Sequence, residues 1–224
     1  MLQKDERGEP LPQLREWLDR LAPVVAEARA SLAGARPGKL ALRTGCERDS
    51  AGNYHLAFFW RDYVISADDF VVRRADTGAE TPSFTQSLIL TYLVTADGTT
   101  PSGRWVSFRE LPGGMFYASA FQGYAGNRLA TELARLPGSG IDAFRRGAER
   151  LGGEPLEVGD AGYAFRVLPC IGLAVVYWRG DEEFPSQVQV LFEDTAAHYL
   201  PIDGLAILGS QLVGHIVKAA QAGE

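Results

Sequence analysis

Strand-like apolar patterning falls into two separate groups in this chain, Leu40–Ser66 and Tyr163–Phe192, and helical periodicity fills the stretch between them. That order restricts the fold. A regular strand–helix–strand alternation would build a doubly wound parallel sheet, whereas grouped strands pair with their sequence neighbours. The expected class is α+β: antiparallel or mixed sheets from an N-terminal meander and a C-terminal hairpin group, packed by a helical middle and terminal helices.

The elements follow from local periods. Leu11, Leu14, Leu18, Leu21, Val25, Ala28 and Leu32 recur at steps of three and four, an apolar helical stripe with Pro23 inside it. Pro23 predicts a kink or two abutting helices, and the single apolar face predicts a helix laid across a sheet. Leu40–Thr44, His55–Trp60 and Tyr63–Ser66 read as strands, with a tight turn at Arg61-Asp62. Pro82 opens a helix carrying Phe84, Leu88, Tyr92 and Ala96, and Gly98 closes it. After a short strand at Arg104–Phe108 and a turn at Pro112-Gly113-Gly114, short helices are predicted over 116–122, 126–135 and 140–151. Tyr163–Val167, Leu173–Trp178 and Gln187–Phe192 read as strands, and Leu205, Leu208, Leu212, Ile216 and Ala219 stripe a last helix. No repeat or linker divides the chain, so one domain over 1–224 is expected, with residues 1–9 a disordered tail.

Composition narrows the partners. The net charge of -6 and pI near 5.2 argue against nucleic acid, which needs clustered cations. Arg145, Arg146 and Arg150 form the one basic cluster and read as a solvated helix face. Leu205–Ala220 is interrupted by Gln211, His215 and Lys218, so no membrane partner is expected either. The polar start, without an apolar signal region, makes the cytoplasm the expected location. Two cysteines, Cys46 and Cys170, are too few for a disulfide scaffold and read as reduced residues in or near the core.

Phosphate loops, dinucleotide fingerprints, nucleophile elbows and zinc-protease histidine pairs are absent. Of the three histidines, His198 stands four residues after Asp194 and could share a hydrogen bond with it on a helix. Asp181-Glu182-Glu183, with Glu193-Asp194, is the acidic feature. Consecutive carboxylates point apart, so no metal site is expected from them. An arginine needs an acidic partner when buried, which predicts a pair between Arg109, or Arg104, and one of Asp181, Glu182 or Glu183. Trp105, Trp178 and other aromatics crowd the same two segments, and Gly113-Gly114 would allow close backbone approach.

Leu88-Ile-Leu-Thr-Tyr-Leu93 leading to Gly103-Arg-Trp-Val-Ser-Phe-Arg-Glu-Leu-Pro-Gly-Gly114 resembles the central signature of a prokaryotic family, the domain of unknown function 3786. Gly180-Asp-Glu-Glu-Phe-Pro185 and Leu191-Phe-Glu-Asp-Thr-Ala-Ala-His-Tyr-Leu-Pro201 resemble its second signature. The likeness runs over about residues 20–220 and implies no established activity. Some relatives carry an N-terminal cysteine-rich iron–sulfur segment similar to that of corrinoid-dependent one-carbon proteins. This chain has no cysteine before Cys46, so iron–sulfur binding is not carried over.

The expected function is therefore that of a non-enzymatic accessory or small-ligand-binding protein, with no cofactor identifiable and the oligomeric state open. Its candidate site lies between the 104–114 turn and the 181–184 loop: Arg104, Trp105, Arg109, Glu110, Gly113, Gly114, Trp178, Asp181, Glu182 and Glu183. The alternative is an enzyme that uses these carboxylates for acid–base or metal-assisted chemistry, which requires them to converge with one pKa raised.

Overall fold

The structure, a computed structural model, describes residues 12–137 and 139–222, with side chains from Leu21 onward. The expected tail and the side chains of Leu11, Leu14 and Leu18 lie outside the described residues. The chain divides into two compact units, residues 1–97 and 98–224. Each contains one antiparallel sheet, which makes the fold α+β.

In the first unit a long helix, α1 (Pro12–Leu32), continues through Pro23. A short helix α2 (Pro37–Thr44) follows, and then the meander β1 (Glu47–Arg48), β2 (Tyr54–Phe58), β3 (Arg61–Ile65) and β4 (Val72–Arg74). Helix α3 (Ser83–Thr95) ends the unit. Three expectations change in this unit. Leu40–Thr44 is helical, because Pro37 fits the first helical turn and Gly45 supplies a left-handed stop at φ 63°. Five residues of mixed polarity cannot overrule a proline start and a glycine stop. Secondly, α1 packs on α3 and not across a sheet. Helix α3 is apolar nearly all round, burying Leu88, Ile89, Leu90, Tyr92 and Leu93, so it must be covered on several sides. The Tyr92 hydroxyl donates to the Thr44 carbonyl at 2.5 Å and Arg43 Nη2 to the Leu93 carbonyl at 3.1 Å, tying α2 to it.

The β2–β3 turn sits at Phe59-Trp60 and not at Arg61-Asp62. Both residues adopt positive φ, 45° and 62°, the two-residue turn whose twist matches its strands.

The second unit opens with β5 (Trp105–Ser107) and a run of short helical turns that contains α4 (Ala118–Gln122) and α5 (Arg128–Ala134). Helix α6 (Gly140–Arg150) leads into β6 (Glu154–Leu156), β7 (Ala161–Leu168), β8 (Ile171–Trp178) and β9 (Gln187–Glu193), and α7 (Ile202–Gln221) closes it. The sheet order is β5-β9-β8-β7-β6. Leu173 pairs with Phe192, Val175 with Val190 and Tyr177 with Val188, all on the face that α6 and α7 cover. There Phe144 lies 5.7 Å from the Tyr177 ring and 5.6 Å from that of Tyr163, and Phe121 stacks on Phe108 at 4.2 Å. Cys46 is buried and Cys170 half-buried. Among the described residues no helix is long and apolar enough to cross a membrane.

Candidate functional site

Strand β9 is paired unequally on its two sides. Strand β8 runs along all of it, but β5 faces only Leu191, Phe192 and Glu193. The reason is local. Ser107-Phe-Arg-Glu110 is a capping box: the backbone amide and hydroxyl of Ser107 donate to Glu110 Oε2 at 2.8 and 2.7 Å and start a helical turn. The chain leaves the sheet there, and the edge of β9 at residues 187–190 is left without a strand.

A groove of about 1300 Å³ occupies that place. Gln187–Val190 form one wall, Ser107–Arg109 and Met115 one end, and Trp178, Arg179 and Phe184–Ser186 the other. The opposite wall is the α4–α5 segment, which contains a π turn at Gly123–Asn127, a distortion often found at functional positions. Gly126 must be glycine, because a Cβ there would overlap the Val188 carbonyl and sit 2.9 Å from Gln122 Cδ. Its absence lets Gln122 Nε2 reach that carbonyl at 2.9 Å while also donating to Asn127 Oδ1 at 3.0 Å. Phe184 and Met115 leave 63% of their surface open at the rim.

Of the expected residues the groove is lined by Arg109, at one end, and Trp178, at the other, and the remaining eight lie outside its lining. Arg104 pairs instead with Asp194, Nε to Oδ2 at 2.9 Å, while Ser102 holds the second oxygen. Both partners keep the Asp194 carboxyl below the usual carboxylate range, the Ser102 hydroxyl first. His198 Nδ1 lies 3.2 Å from Thr99 Oγ1. The Trp105 ring lies on the other face of the sheet, 3.1 Å from where a Gly172 side chain would begin. Gly113 takes a left-handed φ of 77° in the turn, and Gly114 packs against the Phe108 backbone. Neither lines the groove.

The expected pair between Arg109 and the acidic loop does not form. Asp181 Oδ1 accepts the amides of Glu183 at 2.9 Å and Phe184 at 2.8 Å, so it builds its own loop. Those amides hold its carboxyl below the ordinary value, with Phe184 the larger cause. Glu182 and Glu183 are exposed, where an ion pair gains little. Arg109 and Arg179 form no ion pair among the described residues. No three His, Cys, Asp or Glu side chains among the described residues are grouped to hold a metal ion.

Three features went unread. Arg179, next to Trp178, is the second cation of the groove, and Gln122 is its backbone contact. Only Ser107-x-x-Glu110 carried a readable signal, since it marks where β5 must end. The third is the burial of Glu193, which the sequence marked only as part of an acidic pair: 2% exposed, it accepts Arg166 Nη1 at 2.6 Å and the Gly172 amide at 2.9 Å.

A family model described as "Domain of unknown function (DUF3786)" matches residues 36–215, from the start of α2 into α7 and across the whole groove. No curated protein and no solved structure matches the chain. With four-fifths of its length inside that match, the chain belongs to the DUF3786 family.

Proposed function

We propose that the protein is a non-enzymatic binding protein whose groove between the Ser107–Arg109 turn and the Trp178–Val190 segment takes an anionic ligand. One observation carries this reading. Arg109 and Arg179 line a concave surface with no acidic residue in its lining, in a chain whose net charge is -6. Arginine forks left without an internal carboxylate suit a ligand carboxylate or phosphate. Trp178 and Phe184 add flat apolar surface beside them.

The enzymatic alternative requires converging carboxylates with one pKa raised. Glu110 is instead held by Ser107, first through its hydroxyl and then its amide, and its carboxyl lies below the ordinary value. Asp181 is lowered too. Neither is poised to keep a proton at neutral pH.

Thermal melts with citrate, pyrophosphate and glutamate-rich peptides test the proposal, each on the wild type and on Arg109→Gln/Arg179→Gln. At least one anion is expected to raise the wild-type melting temperature, with the effect lost in the double variant and weakened by salt. Stabilisation that survives the double substitution would refute it, and so would none at all.

A further inference from the structure

We infer that the ligand of this groove is an acidic oligosaccharide, lying along β9 with a carboxylated sugar unit at each end. The inference rests on the binding role proposed above and names the ligand class for the same site.

The anchoring of the two arginines sets the length. Trp178 pairs with Gln187 at one end of the β9 wall, and Ser107 pairs with Leu191 at the other. Leu191 lies four residues beyond Gln187, which is about 14 Å of strand at roughly 3.4 Å per residue. Arg179 follows Trp178 directly and Arg109 comes two residues after Ser107, so the arginines are anchored at opposite ends and not as a cluster. A ligand that engages both in place is elongated, with its charges set apart.

Apart from the arginines the lining is neutral and rich in hydrogen-bonding groups. Ser119, Gln122 and Asn127 line it from the α4–α5 segment, and Ser186, Gln187 and Gln189 from the β9 side. Gln122 uses its Nε2 on the Val188 carbonyl and Asn127 Oδ1. Its Oε1, Asn127 Nδ2, the side-chain amides of Gln187 and Gln189 and the two serine hydroxyls make no hydrogen bond among the described residues. That set mixes donors with acceptors. A bare polyanion can use only the donors, and amide oxygens beside it are unfavourable. Sugar hydroxyls both donate and accept, so they can pair with every member. Trp178 and Phe184 supply flat apolar surface on which the C–H face of a sugar ring packs. Carboxylates on the terminal units reach the arginine forks, which no acidic residue of the lining occupies. Single-stranded nucleic acid, also anionic and ring-bearing, carries a charge at every nucleotide, whereas this groove offers cations only at its ends.

The test is titration calorimetry of the intact protein with trigalacturonate, maltotriose, dodecanedioate, citrate and a thymidine trinucleotide. Trigalacturonate is expected to bind about tenfold or more tighter than maltotriose, which lacks the charges, and than dodecanedioate, which lacks the hydroxyls. Arg109→Gln and Arg179→Gln are each expected to weaken it about tenfold, because both ends are engaged. Gln187→Ala/Gln189→Ala removes two side chains, neither of them buried. It is expected to weaken trigalacturonate about fivefold or more and to leave citrate unaltered. If citrate binds through the arginines and trigalacturonate binds no tighter, the sugar assignment is wrong and the anion site stands. If no ligand of the set binds, both fall. Dodecanedioate or the trinucleotide matching trigalacturonate overturns the assignment, as does full trigalacturonate affinity in the Gln187→Ala/Gln189→Ala protein.

Discussion

Three glycines in the segment between β5 and α5 carry different physical demands, and replacing each with alanine separates them. Gly114 has an ordinary right-handed conformation, φ -72° and ψ -28°, so backbone freedom does not require it. Space does. A Cβ would sit 3.0 Å from the Phe108 carbonyl carbon and 3.1 Å from the Leu111 oxygen, with the Phe108 oxygen nearer still. All three are backbone atoms, fixed by the capped turn, and cannot swing aside. Overpacking against rigid surroundings costs about 3 kcal/mol at its upper range. Gly113 has the reverse problem: its Cβ would meet Ile202 at a comfortable 3.6 Å, but φ is 77°. A left-handed alanine costs about 1–2 kcal/mol, partly offset by lost unfolded-state entropy. Gly123 is helical, φ -61°, with nothing within 4 Å of its Cβ. Alanine there should stabilise by about 0.5–1 kcal/mol. Urea unfolding at constant m would give the order Gly114→Ala, Gly113→Ala, wild type, Gly123→Ala from least to most stable. In a melt the Gly114 variant should fall by roughly 10 °C. If Gly114→Ala stays within about 0.5 kcal/mol of wild type, the turn yields and the steric argument is wrong.

Glu193→Ala should cost about 2–3 kcal/mol, chiefly by stranding the buried Gly172 amide, because Arg166 is half exposed and can recover water. Glu193→Gln retains an acceptor and should cost less, and equal urea midpoints for the two would contradict that division. Asp49 is drawn from 3.8 to about 2, first by the His55 hydrogen bond and then by Asn53. Because the folded value is lowered, this contribution to stability is complete above pH 4 and disappears as pH falls toward 2. Carbon-detected titration should show the low midpoint in the wild type and a return toward 3.8 in His55→Ala. A wild-type midpoint near 3.8 would rule out the bond.

What could be read from the chain was whatever carries a period. Leu205, Leu208, Leu212 and Ile216 announced α7, and the alternation of Val188, Val190 and Phe192 announced β9 and its buried face. Strands β1, β4 and β6, with two or three residues each, are too short to show a period. The same limit governed the site. Aromatic and arginine content drew attention to the segments around 104–114 and 178–184, and residues of both line the groove. Residue types alone could not say that Asp181 was already occupied by its own loop, or that Arg104 would find Asp194. Saturation of a polar group is a property of the fold. Gln122 was hidden for a related reason, since its role depends on the missing Cβ of Gly126 sixty-two residues before Val188 in sequence.

The Phe59-Trp60 turn has a bearing on how the first unit assembles. Turns of this shape are ordinarily closed by Asn-Gly or Asp-Gly, residues for which the left-handed region is inexpensive. Two bulky aromatic residues there oppose closure by about 1–2 kcal/mol each. The offset comes from burial: the Phe59 ring lies 5.0 Å and the Tyr63 ring 6.1 Å from that of Phe58, and all three are buried in the folded chain. An isolated β2–β3 peptide would keep these ring contacts without that burial and would have no favourable bend, so this hairpin is imposed on the chain by its surroundings and not seeded by its own sequence.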